Sequence, residues 1–193
     1  RILFDKGLYN QADKQLDKAE RMAAELEQHA LMLQVTGLRR QVYECKVSDE
    51  MTHFAAASNR SIMETCDKLE RTNEISNLAV RLYSLHLQLG YARSQKDLDL
   101  LNDYFKPRLC VYSRHRLSFT ERFHFYQAMT WYHYTCHNFA YAYRYGRAWI
   151  DMFEEQPCMK EVMYDSYLHG YSRFLEGMYL MRKYGLFVKA IED

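Results

Sequence analysis

Residues 7–19 read Gly-Leu-Tyr-Asn-Gln-Ala-Asp-Lys-Gln-Leu-Asp-Lys-Ala, and the spacing in and after this stretch decides the fold class. Ala12, Leu16, Ala19, Ala23 and Leu26 follow one another at steps of four, three, four and three. Those steps place small and apolar side chains along one face of a helix. Asp13, Lys14, Asp17, Lys18, Glu20 and Arg21 fill the opposite face.

The same rhythm runs outward along the chain. It predicts a second helix from about Ala30 to Lys46 and a third from about Met51 to Arg71. Thr72 is expected to cap a fourth, through Ile75, Leu78, Leu82, Leu85 and Leu89. Ser94, with Asp97 three later, starts a fifth that ends before Pro107. Ser118-Phe-Thr-Glu121 is a capping box, opening a sixth helix that runs to about His137. A seventh spans about Phe139 to Glu155, an eighth begins at Pro157 and ends near Gly185, and a short ninth starts at Leu186. No stretch sustains period-two alternation, so the expected fold class is all-α.

Composition agrees. Of 193 residues, 48% are apolar, enough for a sizeable core, and only 7 are glycine and 2 proline. An all-β sandwich needs more turn residues, and Rossmann or P-loop folds need glycine-rich phosphate loops. Cys45, Cys66, Cys110, Cys136 and Cys158 are odd in number and widely spaced, which argues against a disulfide framework and for the reducing cytoplasm. No apolar run approaches the roughly 18–20 residues that cross a bilayer, so no membrane partner is expected. The sequence starts at Arg1 and stops at Asp193, inside amphipathic patterns, as a fragment of a longer chain would.

Alternate helix starts repeat a pair of residues three apart: Tyr9 and Ala12, Phe54 and Ala57, Leu98 and Leu101, Phe139 and Ala142, Phe187 and Ala190. The unit is a helix pair of about forty to fifty residues, within the span of helical solenoids. Gly7, Tyr9, Ala12, Leu16 and Ala19 resemble the second helix of a tetratricopeptide repeat, position by position. Asn138, Phe139, Ala142, Gly146 and Trp149 resemble it with the small and large positions swapped. The Trp-x-x-Leu-Gly signature of the family's first helix is missing, and the units exceed its usual length. The resemblance implies antiparallel helix pairs stacked into a right-handed superhelix, a single array of about four to five units over residues 1–193. It also implies that Ala12 sits where two helices come closest, so that Ala12→Leu would overpack.

Aromatic residues are unevenly distributed. Six of the 29 precede residue 104. Tyr141, Tyr143 and Tyr145 alternate, so a helix cannot turn all three to one core. Lys106, Arg108, Arg114, His115 and Arg116 form a basic segment without an acid between Asp103 and Glu121. Exposed rings beside cations suit an acidic peptide, whereas the segment's shortness and 26 basic against 25 acidic side chains argue against nucleic acid. His133 and His137, four apart with Cys136 between them, would share a helix face as a metal pair, but they lack a third ligand and a base. No nucleophile elbow or carboxylate pair points to catalysis, and no cofactor is implied.

The leading expectation is therefore a non-enzymatic scaffold. Its concave groove would hold a protein or peptide segment through Arg116, Tyr132, Tyr141, Arg144, Tyr145 and Arg147. Arg144 and Arg147, three apart, are expected to face one ligand. A second expectation is the peptide-sensing portion of a bacterial regulator, which brings homodimerisation with it. The third is a metal-dependent enzyme on the His133/His137 pair.

Overall fold

Between Met51 and Leu89 the sequence holds neither glycine nor proline, and in the computed structural model of the chain this stretch is one helix of 39 residues. The structure describes residues 1–45, 51–113 and 115–192. In order, they form α1 (Ile2–Asp5), α2 (Tyr9–Glu25), α3 (His29–Cys45), α4 (Met51–Leu89) and α5 (Gln95–Asp99). A π-helical segment (Leu100–Phe105) leads into α6 (Lys106–Tyr112), followed by α7 (Phe119–Thr135), α8 (Phe139–Glu155), α9 (Pro157–Val162), α10 (Tyr164–Leu180) and α11 (Tyr184–Glu192). No strand occurs among the described residues, and no helix in them is long and apolar enough to cross a membrane.

Several predicted boundaries move. Thr72 caps nothing: it lies inside α4, where no breaker interrupts the helix. The chain divides into two compact units, Arg1–Arg71 and Thr72–Asp193, at that same position. Pro107 does not end a helix. The π-helical segment before it lets Lys106 N–H reach Leu101 O five residues back, which widens the turn where the proline ring would otherwise meet a carbonyl. α7 stops at Thr135 instead of His137. The helix predicted from Pro157 breaks at Met163, where no glycine or proline stands to signal it. The predicted end of the second helix, Lys46, lies outside the described residues. Both capping boxes form as expected, at Ser94/Asp97 and Ser118/Glu121.

One turn recurs four times. Gly7, Glu27, His137 and Arg182 all have positive φ, between 49° and 72°. After each, the next N–H bonds a carbonyl five residues back: Leu8 to Leu3, Gln28 to Ala23, Asn138 to His133, Lys183 to Met178. This is the Schellman ending of a helix. It sets Tyr9, Phe139 and Tyr184 at equivalent positions, as the first residues of α2, α8 and α11. The last unit therefore starts at Tyr184, one turn before the Phe187 expected from sequence.

In the first unit, α2 and α3 turn back on each other through residues 26–28. Arg39 of α3 ties them, reaching Asp13, Asp17 and Glu20 on α2 at 3.5, 2.5 and 2.6 Å. Ala12 is buried, yet it also walls an apolar cleft of about 280 Å3 with Phe4, Leu16, Leu38 and Val42. A larger side chain at Ala12 thus has room on one side, and the expected overpacking does not follow.

Three glycines bring α8 and α10 close together in the second unit. A Cβ on Gly170 would stand 2.9 Å from the Trp149 ring, one on Gly177 3.2 Å from Tyr143 Cα, and one on Gly146 3.4 Å from Phe174 Cα. Phe153 and Tyr167 extend the row, with centroids 5.9 Å apart. Rising numbers on one helix meet falling numbers on the other, so the pair is antiparallel. The small and large residues at Gly146 and Trp149 are each matched by the opposite size on α10.

Gly170→Ala should therefore destabilise the chain by about 1–3 kcal/mol, because the buried indole has nowhere to retreat. Gly37→Ala, in the middle of α3 with nothing within 4 Å of its Cβ, should stabilise by about 0.5–1 kcal/mol. Urea midpoints of the two variants check the contrast. Equal shifts would mean that α8 and α10 are not in contact through these glycines.

Candidate functional site

Helix α7 is apolar on nearly every face, with Phe119, Phe123, Phe125, Ala128, Trp131, Tyr132 and Tyr134 all buried. A helix of that kind must be surrounded. α8 covers one side through ring contacts of Phe119 with Phe153, Phe123 with Trp149 and Tyr134 with Phe139. The C-terminal part of α4, the π-helical segment and α6 cover another, with Ile75, Leu82, Leu101, Phe105 and Leu109 joining Trp131 in one core.

Where α6, α7 and α8 meet, a cleft of about 180 Å3 remains open. Leu109, Cys110, Ser113, Phe125, Met129, Tyr132, His133 and Tyr145 line it, with Lys106 as its cation and no carboxylate. His133 is its organising ring. It stacks on Tyr141 at 5.0 Å and on Tyr145 at 5.4 Å, nearly parallel to both. Tyr141 and Tyr145 are four apart on α8, so one face of that helix delivers both. Burial lowers the His133 imidazole to about 4. It also raises the Tyr145 hydroxyl and the Cys136 thiol, so that both stay protonated near neutrality.

The six sequence-predicted residues fall into three groups. Tyr132 and Tyr145 line the cleft, and the buried Tyr132 donates its hydroxyl to Asn102 Oδ1 at 3.2 Å. Tyr141 is 45% exposed, with the exposed Arg144 over its ring at 5.5 Å, so these two flank the His133 stack. Arg147 belongs elsewhere: it pairs with Asp151 at 2.8 Å and lies over Phe174 of α10. It does not join Arg144 on one ligand-facing site. Arg116 is exposed ahead of α7 and does not line the cleft.

The metal pair dissolves. α7 ends before Cys136, and His137 takes a positive φ of 58°, so His133 and His137 share no helix face. The His137 ring instead packs on Tyr91 at 4.1 Å. Among the described residues no three His, Cys, Asp or Glu side chains gather as metal ligands. The basic segment also divides. Lys106 and Arg108 ride on α6, His115 and Arg116 lie before α7, and Arg114 is outside the described residues.

Sequence reasoning missed His133 as the centre of the aromatic stack. The available signal was the four-residue spacing of Tyr141 and Tyr145, which needs a partner ring on the facing helix. Compared with known protein families, curated proteins and solved structures, the chain matches none.

Burial lowers His86 and His124 in the same direction as His133. An imidazole that is neutral when folded and protonated when unfolded takes up a proton on unfolding. Its stabilisation is complete above the ordinary value of about 6.5 and declines as pH falls toward about 4. His133→Phe keeps a ring in the stack and removes one titration. Between about pH 7 and pH 5 its urea midpoint should fall less than that of the parent chain. Equal falls would assign the acid sensitivity to His86 and His124.

Proposed function

We propose that this chain is a non-enzymatic binding module that takes a protein or peptide segment. In this reading its antiparallel helix pairs continue as a tetratricopeptide-like, right-handed superhelical array. The recurring Schellman turn and the packing of α8 between α7 and α10 support such a stacking.

The observation that carries the reading is the α6–α7–α8 cleft. Its volume of about 180 Å3 is below the roughly 300–1,000 Å3 of small-molecule pockets, and it suits one anchoring side chain. Its lining is mostly apolar and aromatic, with Lys106, Cys110, Ser113 and His133 as its polar side chains and no carboxylate, and no metal-binding cluster occurs among the described residues. Beside it, Tyr141 offers an exposed ring and Arg144 a guanidinium with no carboxylate partner among the described residues. Rings of this kind bury much area at low entropic cost, and the cation suits an acidic neighbour of the anchor.

A peptide selected by display on the whole chain tests the reading. Tyr145→Ala removes a wall of the cleft and should weaken binding about tenfold or more, which is about 1.4 kcal/mol. Arg144→Gln should weaken it less, and Arg147→Gln, already engaged by Asp151, should leave it unchanged. Titration by fluorescence anisotropy measures all three. Selected peptides that ignore Tyr145→Ala would remove the cleft from the binding surface.

A further inference from the structure

Arg39 spends its guanidinium on three carboxylates, whereas two arginines in the second unit spend theirs on a tyrosine. Arg108 lies over the Tyr104 ring at 3.8 Å and donates to the Tyr104 carbonyl at 2.7 Å. Arg81 lies over the same ring at 4.7 Å and donates to the Tyr104 hydroxyl. Neither has a carboxylate partner among the described residues. Stacking on a ring fixes a guanidinium in place without neutralising it. Two positive charges are thus brought to one ring and left uncompensated.

They stand in the middle of a groove. One cavity of about 290 Å3 is lined by Leu78, Arg81, Tyr104, Arg108 and Val111. A second, of about 250 Å3, shares Arg81 and Tyr104 and continues past Leu85 and Leu100. On α4 the lining runs from Glu74 to Gln88, about 21 Å at 1.5 Å per residue. The groove therefore offers a charged centre with an apolar patch on each side, and Val111 and Leu100 are 55% and 44% exposed along it.

We propose that this groove between the C-terminal part of α4 and the stretch from Leu100 to Tyr112 binds a peptide segment. An acidic side chain, flanked by apolar ones, would sit on Arg81 and Arg108. A carboxylate accepts parallel N–H bonds from a guanidinium fork, and the preset geometry of both arginines lowers the ordering cost. The chemistry favours a peptide over a polyanion. Glu74 stands in the same wall, where a phosphate backbone would meet it, and nucleic acid asks for a stripe of cations that the groove lacks. Tyr112 donates to Glu74 at 2.7 Å, and burial with that partner holds the phenol up to about 12. Glu74 keeps its charge under that hydrogen bond but forms no ion pair with Arg81 or Arg108 among the described residues. The proposal rests on the peptide-binding reading for its ligand class, but on none of the residues of the α6–α7–α8 cleft.

The probe is a fluorescein-labelled, end-blocked peptide of glutamates spaced by leucines, titrated into the whole chain and followed by anisotropy. Its glutamine counterpart is the uncharged control. The glutamate peptide should bind at least tenfold more tightly than the glutamine one. The Arg81→Gln/Arg108→Gln double variant should erase that difference with an unchanged thermal melt. Arg81→Lys/Arg108→Lys keeps the charge, loses the forks and should fall between. Tyr145→Ala should leave the probe's affinity as it was, which separates this groove from the cleft. Four results would each overturn the proposal: no binding of the glutamate peptide, equal affinity for both peptides, full affinity in the double glutamine variant, or loss in Tyr145→Ala alone. Displacement of the probe by inorganic phosphate or a single-stranded oligonucleotide at lower concentration than by unlabelled glutamate peptide would assign the arginines to phosphate and overturn it as well.

Discussion

The contact that the second unit depends on is the close approach of α8 and α10 at three glycines. A Cβ at Gly146 would stand 3.4 Å from Phe174 Cα, one at Gly177 3.2 Å from Tyr143 Cα and one at Gly170 2.9 Å from the Trp149 ring, so all three positions have little room for a side chain. Glycine in a helix interior is unfavourable by about 0.5–1 kcal/mol relative to alanine. It is tolerated here because the missing Cβ allows the backbones to approach. A slip in register would bring a Cβ to the points where these glycines allow the helices to approach, so the three positions specify the register as well as the distance.

Because α8 is held on one side by α10, its other side is fixed for α7. That is what brings Tyr141 and Tyr145 onto His133 and leaves the acid-free cleft beside them. α7 also reaches α10 directly through Tyr134, which donates to Arg173 O at 2.8 Å while lying in the core. The cleft is thus a by-product of packing three helices whose rings are too large to close every gap.

Charge is used in two opposite ways along the chain. In the first unit a single arginine is saturated by three acids on one helix, a tie between α2 and α3. In the second, three arginines rest on aromatic rings with no ion pair among the described residues: Arg81 and Arg108 on Tyr104, and Arg144 on Tyr141. The aromatic enrichment after residue 104 therefore does more than fill the core. It also supplies surfaces on which some cations are ordered without an ion-pair partner.

The amino-acid sequence by itself determined the helical class, because steps of three and four require that geometry and scarce glycine and proline leave little else. It also determined both capping boxes, since Ser94/Asp97 and Ser118/Glu121 act within four residues. Part of the candidate site was legible for the same local reason: Tyr141 and Tyr145 share a helix face wherever that helix goes. Tertiary structure decided the rest. Glu27, His137 and Arg182 take the positive φ that glycine would advertise, so those turns, and the start of the last unit at Tyr184, carry no local signal. Thr72 has the chemistry of a cap but stands in a stretch with no breaker, and α4 runs through it. Which cations are saturated and which are left free depends on helices far apart in sequence coming together. That is why Arg147 and Arg144, neighbours on one helix, have separate partners, while Arg81 and Arg108, 27 residues apart in number, meet on one tyrosine.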